Sequence, residues 1–292
     1  MHDNGSEQHI KRTTHGLLRP GRWLWARALP WSIVLGIALW ITYKLVKGVG
    51  IGLGLGGTGL PTVLGVLAAL ALYVLSVRLI ERRAPSELGL AGLAPELAVG
   101  AVSAAVLFTA VIVVLLATGT YALTGPTAAA PWLPLADSAE GAVEELIFRG
   151  SIFRLFSRVF GMWGALGLSS GLFGALHVSK PGADLMAVLG IILAGNIPLA
   201  ALYVLTRRLW ASIGYHVGWN FTEAYVFGAQ VSGSGVGVSL YQVQPVPGVD
   251  TLWSGGAFGP EASVVTVVLG FLLTVALLAV VKRFNVQKRG AG

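Results

Sequence analysis

Four ionisable residues lie within the apolar segment 139–150, which reads AEGAVEELIFRG. They are Glu140, Glu144, Glu145 and Arg149, in a chain of which only 11% is charged. If the segment is helical, Glu145 and Arg149 share a face and can neutralise each other. Glu144 is turned about 100° away and has no cation on its own helix. An unpaired carboxylate inside a membrane is costly, so Glu144 is a candidate functional residue.

Two later apolar segments, LFGALHVSK and ASIGYHVGWNFTEAY, each contain a histidine. Phe173 precedes His177 by four residues, and Asn220 follows His216 by four, so each pair occupies one helical face. A single histidine in a helix usually has only a packing role. Two histidines, an asparagine and an unpaired glutamate on three separate helices instead indicate a site.

This set of residues supports two chemistries. In the first, which we favour, Glu144 and His177 activate water as a general base, and His216 and Asn220 donate hydrogen bonds to the oxyanion, with no cofactor. In the second, Glu144, His177 and His216 bind zinc, whose Lewis acidity activates the water. The zinc alternative uses Glu144 as a ligand, so Glu140 or Glu223 would have to act as the base.

The composition indicates where such a site must be built. Of the 292 residues, 55% are hydrophobic, and the mean hydropathy is +0.76, which is typical of an all-α, polytopic membrane protein embedded in a lipid bilayer. The absence of cysteine excludes disulfides and thiolate metal sites. The net charge of +7 comes from Lys and Arg between apolar runs, which indicates membrane topology and not a nucleic acid partner.

Eight windows are long enough to cross about 30 Å of hydrocarbon, which takes about 20 helical residues. They predict a bundle of about eight transmembrane helices, at 28–47, 60–80, 97–123, 132–156, 162–178, 185–205, 209–227 and 264–281. The candidate residues lie in the fourth, fifth and seventh windows.

The basic residues collect on one side of this arrangement. They occupy the N-terminal tail and the connections after windows two, four, six and eight, whereas the other side has only Lys44, Lys47 and Lys180. By the positive-inside rule, both termini are cytoplasmic, and we expect a multi-pass protein of a bacterial cytoplasmic membrane. Along the helices, a rise of about 1.5 Å per residue then places the candidate site in the outer half of the bundle.

The chain divides into a basic cytoplasmic tail at 1–27, a single transmembrane domain at 28–283 and a basic C-terminal tail at 284–292. Within the domain, 132–227 forms the core that carries the candidate residues. The outer connection 228–261 is rich in Gly, Ser and Pro, and could be a lid or a solvated connector. The inner connection ERRAPSELGLAGLAPEL could be an interfacial amphipathic element or a simple loop.

Three short motifs occur in order along the later helices. EELIFR fits an EExxxR pattern, FGALH an FxxxH pattern and HVGWN an HxxxN pattern. Together they resemble the CPBP or Abi family of CAAX proteases and bacteriocin-processing enzymes, which includes prenyl endopeptidases of the Ras-converting type. LTRRLWASIGYHVGWNF and GGAFGPEAS are also similar to family segments, so the resemblance extends from about residue 81 to the C-terminus.

The resemblance implies an eight-helix intramembrane endopeptidase that acts on a peptide or protein, with or without a lipid group. It implies that Glu144 and His177 activate water and that His216 and Asn220 form the oxyanion hole. Supporting residues would be Glu145, Arg149 and Phe173. The family has been treated both as metal-dependent and as glutamic, so the zinc alternative stays open. Prenyl-protein processing acts on cytoplasmic tails, whereas the charge pattern places this site in the outer half, so a CAAX substrate is not predicted.

Two other functions are compatible with the composition. A non-catalytic scaffold or bacteriocin self-immunity protein could keep the same fold, but it could lose the motif Glu or His, and here all are present. A transporter could use Asn196 and Pro198 of the sixth window as a broken helix at a binding site. The alternative for those two residues is an ordinary proline kink.

Overall fold

The computed structural model describes residues 16–125, 132–235 and 237–290, so residues 1–15 of the predicted tail 1–27 and residues 291–292 of the predicted tail 284–292 lie outside it. The described chain is mainly helical and has almost no sheet, which confirms the predicted fold class. Its α-helices are α1 Leu24–Gly52, α2 Gly59–Leu79, α3 Leu93–Ala117, α4 Trp132–Ser138, α5 Glu140–Glu145, α6 Arg154–His177, α7 Leu185–Gly190, α8 Ile197–Thr206, α9 Trp210–Phe221, α10 Thr251–Ser254 and α11 Val264–Gly290.

Shorter elements connect or extend these helices. Three π-helical turns continue α5, α7 and α9, at Leu146–Phe153, Ile191–Asn196 and Thr222–Val226. Two 3₁₀ turns cover Ser86–Leu88 and Pro260–Ala262. Strands β1 Tyr121–Thr124 and β2 Gln242–Pro245 pair antiparallel. Wide π turns displace the helical hydrogen-bond pattern by one residue and are frequent at functional sites.

Six helical runs of the described chain are long and apolar enough to cross a membrane, namely Leu24–Gly52, Gly59–Leu79, Leu93–Ala117, Pro134–His177, Leu185–Thr206 and Val264–Phe284. Many of their large apolar side chains are exposed, as expected for surfaces in contact with lipid. The protein is therefore an integral membrane protein. The cytoplasmic position of both termini and the division into tails and one domain stay predictions.

The longest of these runs, Pro134–His177, is a helical hairpin. Gly161 has a non-helical φ of 71° in its middle, a conformation that favours glycine. The rings of Phe148 and Phe173, on opposite sides of Gly161 in the chain, have centroids 4.6 Å apart. The chain must therefore fold back at Gly161, in agreement with the two windows predicted there. The seventh window corresponds to α9 and its π turn, which have 12 and 5 residues and are together shorter than any of the six runs.

The predicted end of the third window at residue 123 is wrong. Helix α3 ends at Ala117, and Gly119, with a φ of 69°, turns the chain out of the helix. Leu123 instead lies in β1, opposite Val243 of β2. Strand pairing satisfies backbone groups that a longer helix would have paired internally.

The outer connection 228–261 packs on the helices, so a plain solvated connector is the wrong interpretation. Phe258 and Ser239 are fully buried, and Val243 is nearly so. The Glu261 carboxylate accepts hydrogen bonds from the Ser232 backbone and hydroxyl and from the Trp219 indole. A role as a lid stays a prediction.

The inner connection is neither an interfacial amphipathic element nor a simple loop, because two of its carboxylates, Glu81 and Glu87, are buried. Arg154 donates to both oxygens of Glu81, at 2.7 and 2.9 Å, and Arg83 donates to Glu81 and Glu87. The Tyr73 hydroxyl also donates to Glu87. Arg83 and Arg154, which the sequence pattern counts as topology charges, thus hold α2, α6 and the connection together.

Helices α3 and α9 pack backbone against backbone. A Cβ atom on Gly214 would lie 2.2 Å from the Leu97 carbonyl oxygen, and one on Gly218 would lie 2.6 Å from Cα of Ala101. Small residues four apart permit such close approach between membrane helices. Because Gly214 and Gly218 flank His216, this contact fixes the position of the histidine relative to α3.

Candidate active site

Arg149 lies in the π turn that follows α5 and forms the predicted ion pair with Glu145. Its Nη1 donates to Glu145 Oε1 at 2.9 Å, and both side chains are buried. Burial of an ion pair is tolerated only when further hydrogen bonds satisfy the remaining polar atoms. The pair must therefore have other partners.

Asn196 supplies the second partner of Arg149. The Arg149 Nη2 donates to both the backbone carbonyl oxygen and Oδ1 of Asn196, each at 2.8 Å. Asn196 Nδ2 donates in turn to Ser170 Oγ at 2.7 Å. The helical run Leu185–Thr206 continues through Asn196 and Pro198 as a π turn followed by α8, so the broken helix required by the transporter interpretation is absent.

His216 is the third member of this network. Its Nδ1 lies 2.9 Å from Glu145 Oε1, and its Nε2 lies 3.8 Å from Glu144 Oε2. The ion-paired Glu145 carboxylate can only accept, so Nδ1 must carry the hydrogen. Nε2 therefore faces Glu144, whose side chain is 27% exposed. The structure brings Glu144 to His216, a residue 72 positions further along the chain.

His177 lies at the end of α6, half-buried. Its Nδ1 is 2.8 Å from the Phe173 carbonyl oxygen, and the two rings are 4.7 Å apart. A carbonyl oxygen only accepts, so His177 also carries its hydrogen on Nδ1 and has Nε2 free. Phe173 packs edge-on against Phe148 of the π turn, which couples α6 to the segment bearing Glu144. Within the described chain, His177 makes no hydrogen bond to Glu144 or His216.

Asn220 lies one turn after His216 on α9 and is half-buried. None of the described residues forms a hydrogen bond with its side chain, so the amide is available to a ligand. Helix α5 contacts both α9 and its own π turn. These three elements carry five of the candidate residues, namely Glu144, Glu145, Arg149, His216 and Asn220.

The segment with this geometry was compared with known families. Residues 126–222 match the family model of the Rce1-like type II CAAX prenyl endopeptidases. This segment is therefore similar to that family. The match contains all three motifs and confirms the resemblance to the CPBP and CAAX proteases predicted from them. No curated protein and no solved structure matches the chain. The family is one of intramembrane endopeptidases of the CAAX type, which points to a protease.

The Rce1-like segment was tested for the zinc alternative. Among the described residues, no three His, Asp or Glu side chains lie close enough to hold a metal ion, so Glu144, His177 and His216 do not form a ligand set in this conformation. The arrangement of these three side chains in the described structure does not fit a bound zinc ion.

The two other carboxylates considered as bases for the Rce1-like site are engaged elsewhere. Glu140 accepts hydrogen bonds from Tyr43 at 2.6 Å, Lys44 at 3.0 Å and Lys47 at 3.3 Å. Glu223 is fully buried and shares the Trp219 indole N–H with Glu261. Glu144 is therefore the carboxylate of this group that is both near a histidine and open to a substrate.

Gly141, in the first turn of α5, allows the ring of His216 to lie directly on the Rce1-like helix. A Cβ atom at this position would be 2.9 Å from both Cγ and Cδ2 of that ring.

We expect Gly141→Ala to displace His216 and to lower peptidase kcat by roughly 10- to 100-fold, since a 1 Å misplacement can cost that much. Kinetics of the purified variant, with its thermal unfolding midpoint, measure the effect. Gly167→Ala is the matched control, because a Cβ there meets no atom within 4 Å. Wild-type kcat in Gly141→Ala would contradict the proposed contact.

Proposed function

We propose that this protein is an intramembrane endopeptidase that hydrolyses a peptide bond of a membrane-associated or secreted peptide. The observation that carries the proposal is the convergence of Glu144 with His216 Nε2, 3.8 Å apart, beside the buried Glu145–Arg149 pair. The motif order and the Rce1-like match support the same reaction class. The mechanism that we favour uses no metal.

Glu144 is proposed as the general base. Its carboxylate removes a proton from a water molecule while the water oxygen attacks the carbonyl carbon of the scissile bond. The electron pair of the C=O bond moves onto oxygen and gives a tetrahedral oxyanion. When the carbonyl re-forms, the C–N bond breaks, and the proton held by Glu144 passes to the departing amine. His177, with Nε2 free and Nδ1 fixed by Phe173, is proposed to orient the water by accepting its second hydrogen.

His216 and Asn220 are proposed to stabilise the oxyanion. Because Nδ1 of His216 already donates to Glu145, donation from Nε2 requires the imidazolium form. Carboxylates face both ring nitrogens, Glu145 at Nδ1 and Glu144 beyond Nε2, and this arrangement stabilises the positive charge. The Asn220 amide supplies a second donor from the next helical turn. Preorganised donors of this kind are typically the largest contribution to acyl-transfer catalysis.

The proposed substrate is a peptide or protein held at the membrane, with or without a lipid group. Glu144 is partly exposed, whereas Glu145 and Arg149 are closed to solvent, so the substrate would approach from the Glu144 side. The CAAX-type match is compatible with a prenylated substrate but does not specify one.

Purified protein in lipid vesicles should cleave quenched fluorescent peptides. Two matched peptide sets test the substrate class, one bearing a farnesyl or acyl chain and one without it. We expect cleavage of at least one set, and unchanged activity after treatment with a strong chelator. Activity that is lost on chelation and restored by Zn²⁺ would overturn the metal-free mechanism. No cleavage of either set, in protein of wild-type stability, would favour a non-catalytic scaffold instead.

A further inference from the structure

A chain of hydrogen bonds leads from the interior of the bundle to the proposed site. It runs from Ser170 through Asn196, Arg149 and Glu145 to His216. Its inner four members are all buried, with at most 5% of the residue surface exposed. Two of them, Ser170 and Asn196, lie outside the three sequence motifs. Within this series of hydrogen bonds, Asn196 contacts Nη2 of Arg149, whereas Glu145 contacts Nη1.

The guanidinium of Arg149 is divided between two partners. Arginine facing a carboxylate commonly pairs both of its terminal nitrogens with the two oxygens. Here Nη2 is taken by two oxygens of Asn196, and only Nη1 reaches Glu145 Oε1. The same Oε1 receives Nδ1 of His216, while Glu145 Oε2 is buried without a partner among the described residues. The Arg149–Glu145 ion pair is thus held by a single hydrogen bond, and Glu145 Oε1 can accept a second one from His216.

The π turn explains how Asn196 can offer two acceptors to one nitrogen. Asn196 is the last residue of the turn Ile191–Asn196, where helical hydrogen bonding is displaced, and its backbone carbonyl is directed at Arg149. Its side-chain orientation is fixed because Nδ2 donates to Ser170. An amide held at both ends cannot exchange its oxygen and nitrogen positions without losing hydrogen bonds.

We propose that Asn196 is a positioning residue that fixes the orientation and tautomer of His216 through Arg149 and Glu145. By occupying Nη2, it prevents two-point pairing between Arg149 and Glu145, so that Oε1 stays available to Nδ1–H of His216. This keeps Nε2 directed at Glu144. The positioning of His216 by Asn196 is inferred from the hydrogen bonds alone. The effect of Asn196 on catalysis rests on the proposed peptidase function.

Removal of the Asn196 side chain should therefore change His216 without unfolding the protein. In Asn196→Ala, Nη2 loses Oδ1 and keeps only the backbone carbonyl oxygen of residue 196, so its second hydrogen can turn toward the unpartnered Glu145 Oε2. Two-point pairing would compete with His216 for Oε1, and a neutral imidazole without a fixed partner carries its proton on either nitrogen. Asn196→Asp keeps an oxygen at the Oδ1 position, and the Ser170 hydroxyl can donate to the second oxygen. The aspartate variant should therefore retain the wild-type arrangement.

The tautomer can be read directly by ¹⁵N NMR of protein labelled at its five histidines in detergent micelles, with His216→Gln used to assign the signal. At a pH high enough for the His216 ring to be neutral, we expect a proton fixed on Nδ1 in the wild type and in Asn196→Asp, and a mixture of the two tautomers in Asn196→Ala. In the vesicle assay, kcat of Asn196→Ala should fall on the order of 10²-fold with KM unchanged, since only the placement of a catalytic group is altered.

Thr274→Val is the matched control, because Thr274 Oγ1 donates at 2.7 Å to Leu193 in the same π turn but does not touch the chain of hydrogen bonds to His216. It should leave both the NMR signal and kcat at wild-type values. A wild-type tautomer signal in Asn196→Ala would overturn the inference, even if its activity were reduced. Failure of the peptidase proposal looks different, since the wild type itself would then cleave no peptide while the NMR result is unaffected.

Discussion

Glu144→Gln is expected to abolish peptide cleavage by the reconstituted protein. The amide cannot accept the proton of the attacking water, and general-base catalysis of this kind contributes roughly 10²- to 10⁴-fold. Because Glu144 is partly exposed and forms no ion pair on its own helix, the substitution should leave the thermal unfolding midpoint near that of the wild type. The measurement is single-turnover cleavage of the best peptide found in the vesicle assay.

Glu140→Gln is the matched control for this variant. It removes the same charge one helical turn earlier, at a carboxylate that is held by Tyr43, Lys44 and Lys47 and forms no hydrogen bond to either histidine in the described structure. Its kcat should stay close to that of the wild type. If kcat falls equally in the two variants, the loss is caused by removal of a negative charge and not by removal of a general base. If Glu144→Gln turns over peptide at the wild-type rate, Glu144 has no role in the mechanism.

Arg154→Met is expected to destabilise the protein severely while leaving the proposed site chemically intact. The substitution leaves Glu81, fully buried, with Arg83 as its one remaining arginine partner, and breaks a two-point pair at 2.7 and 2.9 Å. Breaking a buried pair by removing one partner costs about 3 to 5 kcal/mol. Thermal unfolding in detergent, followed by tryptophan fluorescence, measures the loss.

Arg158→Met is the matched control, one turn further along α6. The described structure gives Arg158 no hydrogen bond or ion pair, so its removal should change the unfolding midpoint little. The double variant Arg154→Met with Glu81→Gln should recover part of the lost stability, because it removes the uncompensated charge as well. Equal destabilisation by Arg154→Met and Arg158→Met would contradict the structural role of the network.

The same network predicts a defined sensitivity to acid. Burial raises the pKa of Glu87, but hydrogen bonds from Arg83 and the charge of Arg154 outweigh it and hold that pKa at about 2. A carboxyl whose pKa is lowered on folding stabilises the protein above its ordinary value of 4.5 and loses this contribution as the pH falls toward 2. The unfolding midpoint should therefore decline in that window, and less steeply in Glu87→Gln.

Most of the fold follows from periodicity and length, because an apolar run of about 20 residues has few alternatives in a bilayer. The windows agree with the helices to within a few residues except at the end of the third, where strand pairing between Leu123 and Val243 decides the outcome. That pairing joins residues 120 positions apart, which local hydropathy does not report. The burial of Arg154 could not be predicted from the sequence either, because a basic residue at a predicted helix end has the pattern of an ordinary topology signal.

The candidate site could be predicted as a set of residues but not as a set of contacts. Spacing alone indicates the Glu145–Arg149 pair, which the structure contains. It cannot indicate that Glu145 Oε1 is shared with His216, or that Glu144 lies 3.8 Å from His216 and forms no hydrogen bond to His177 in the described structure. Asn196 gives one usable signal, an amide in an otherwise apolar window, but this signal is equally compatible with a transport site and does not identify Arg149 as its partner.

The backbone contact between α3 and α9 has a mechanical consequence. With no side chain at Gly214 or Gly218 to act as a spacer, any rotation or sliding of α9 would drive its backbone into Leu97 and Ala101. The wall that carries His216 and Asn220 is therefore stiff. The other side of the proposed site, the hairpin that bears Glu144 and His177, turns at Gly161, where an added Cβ atom would meet no atom within 4 Å. We therefore expect any movement that admits a substrate to occur in this hairpin and not in α9.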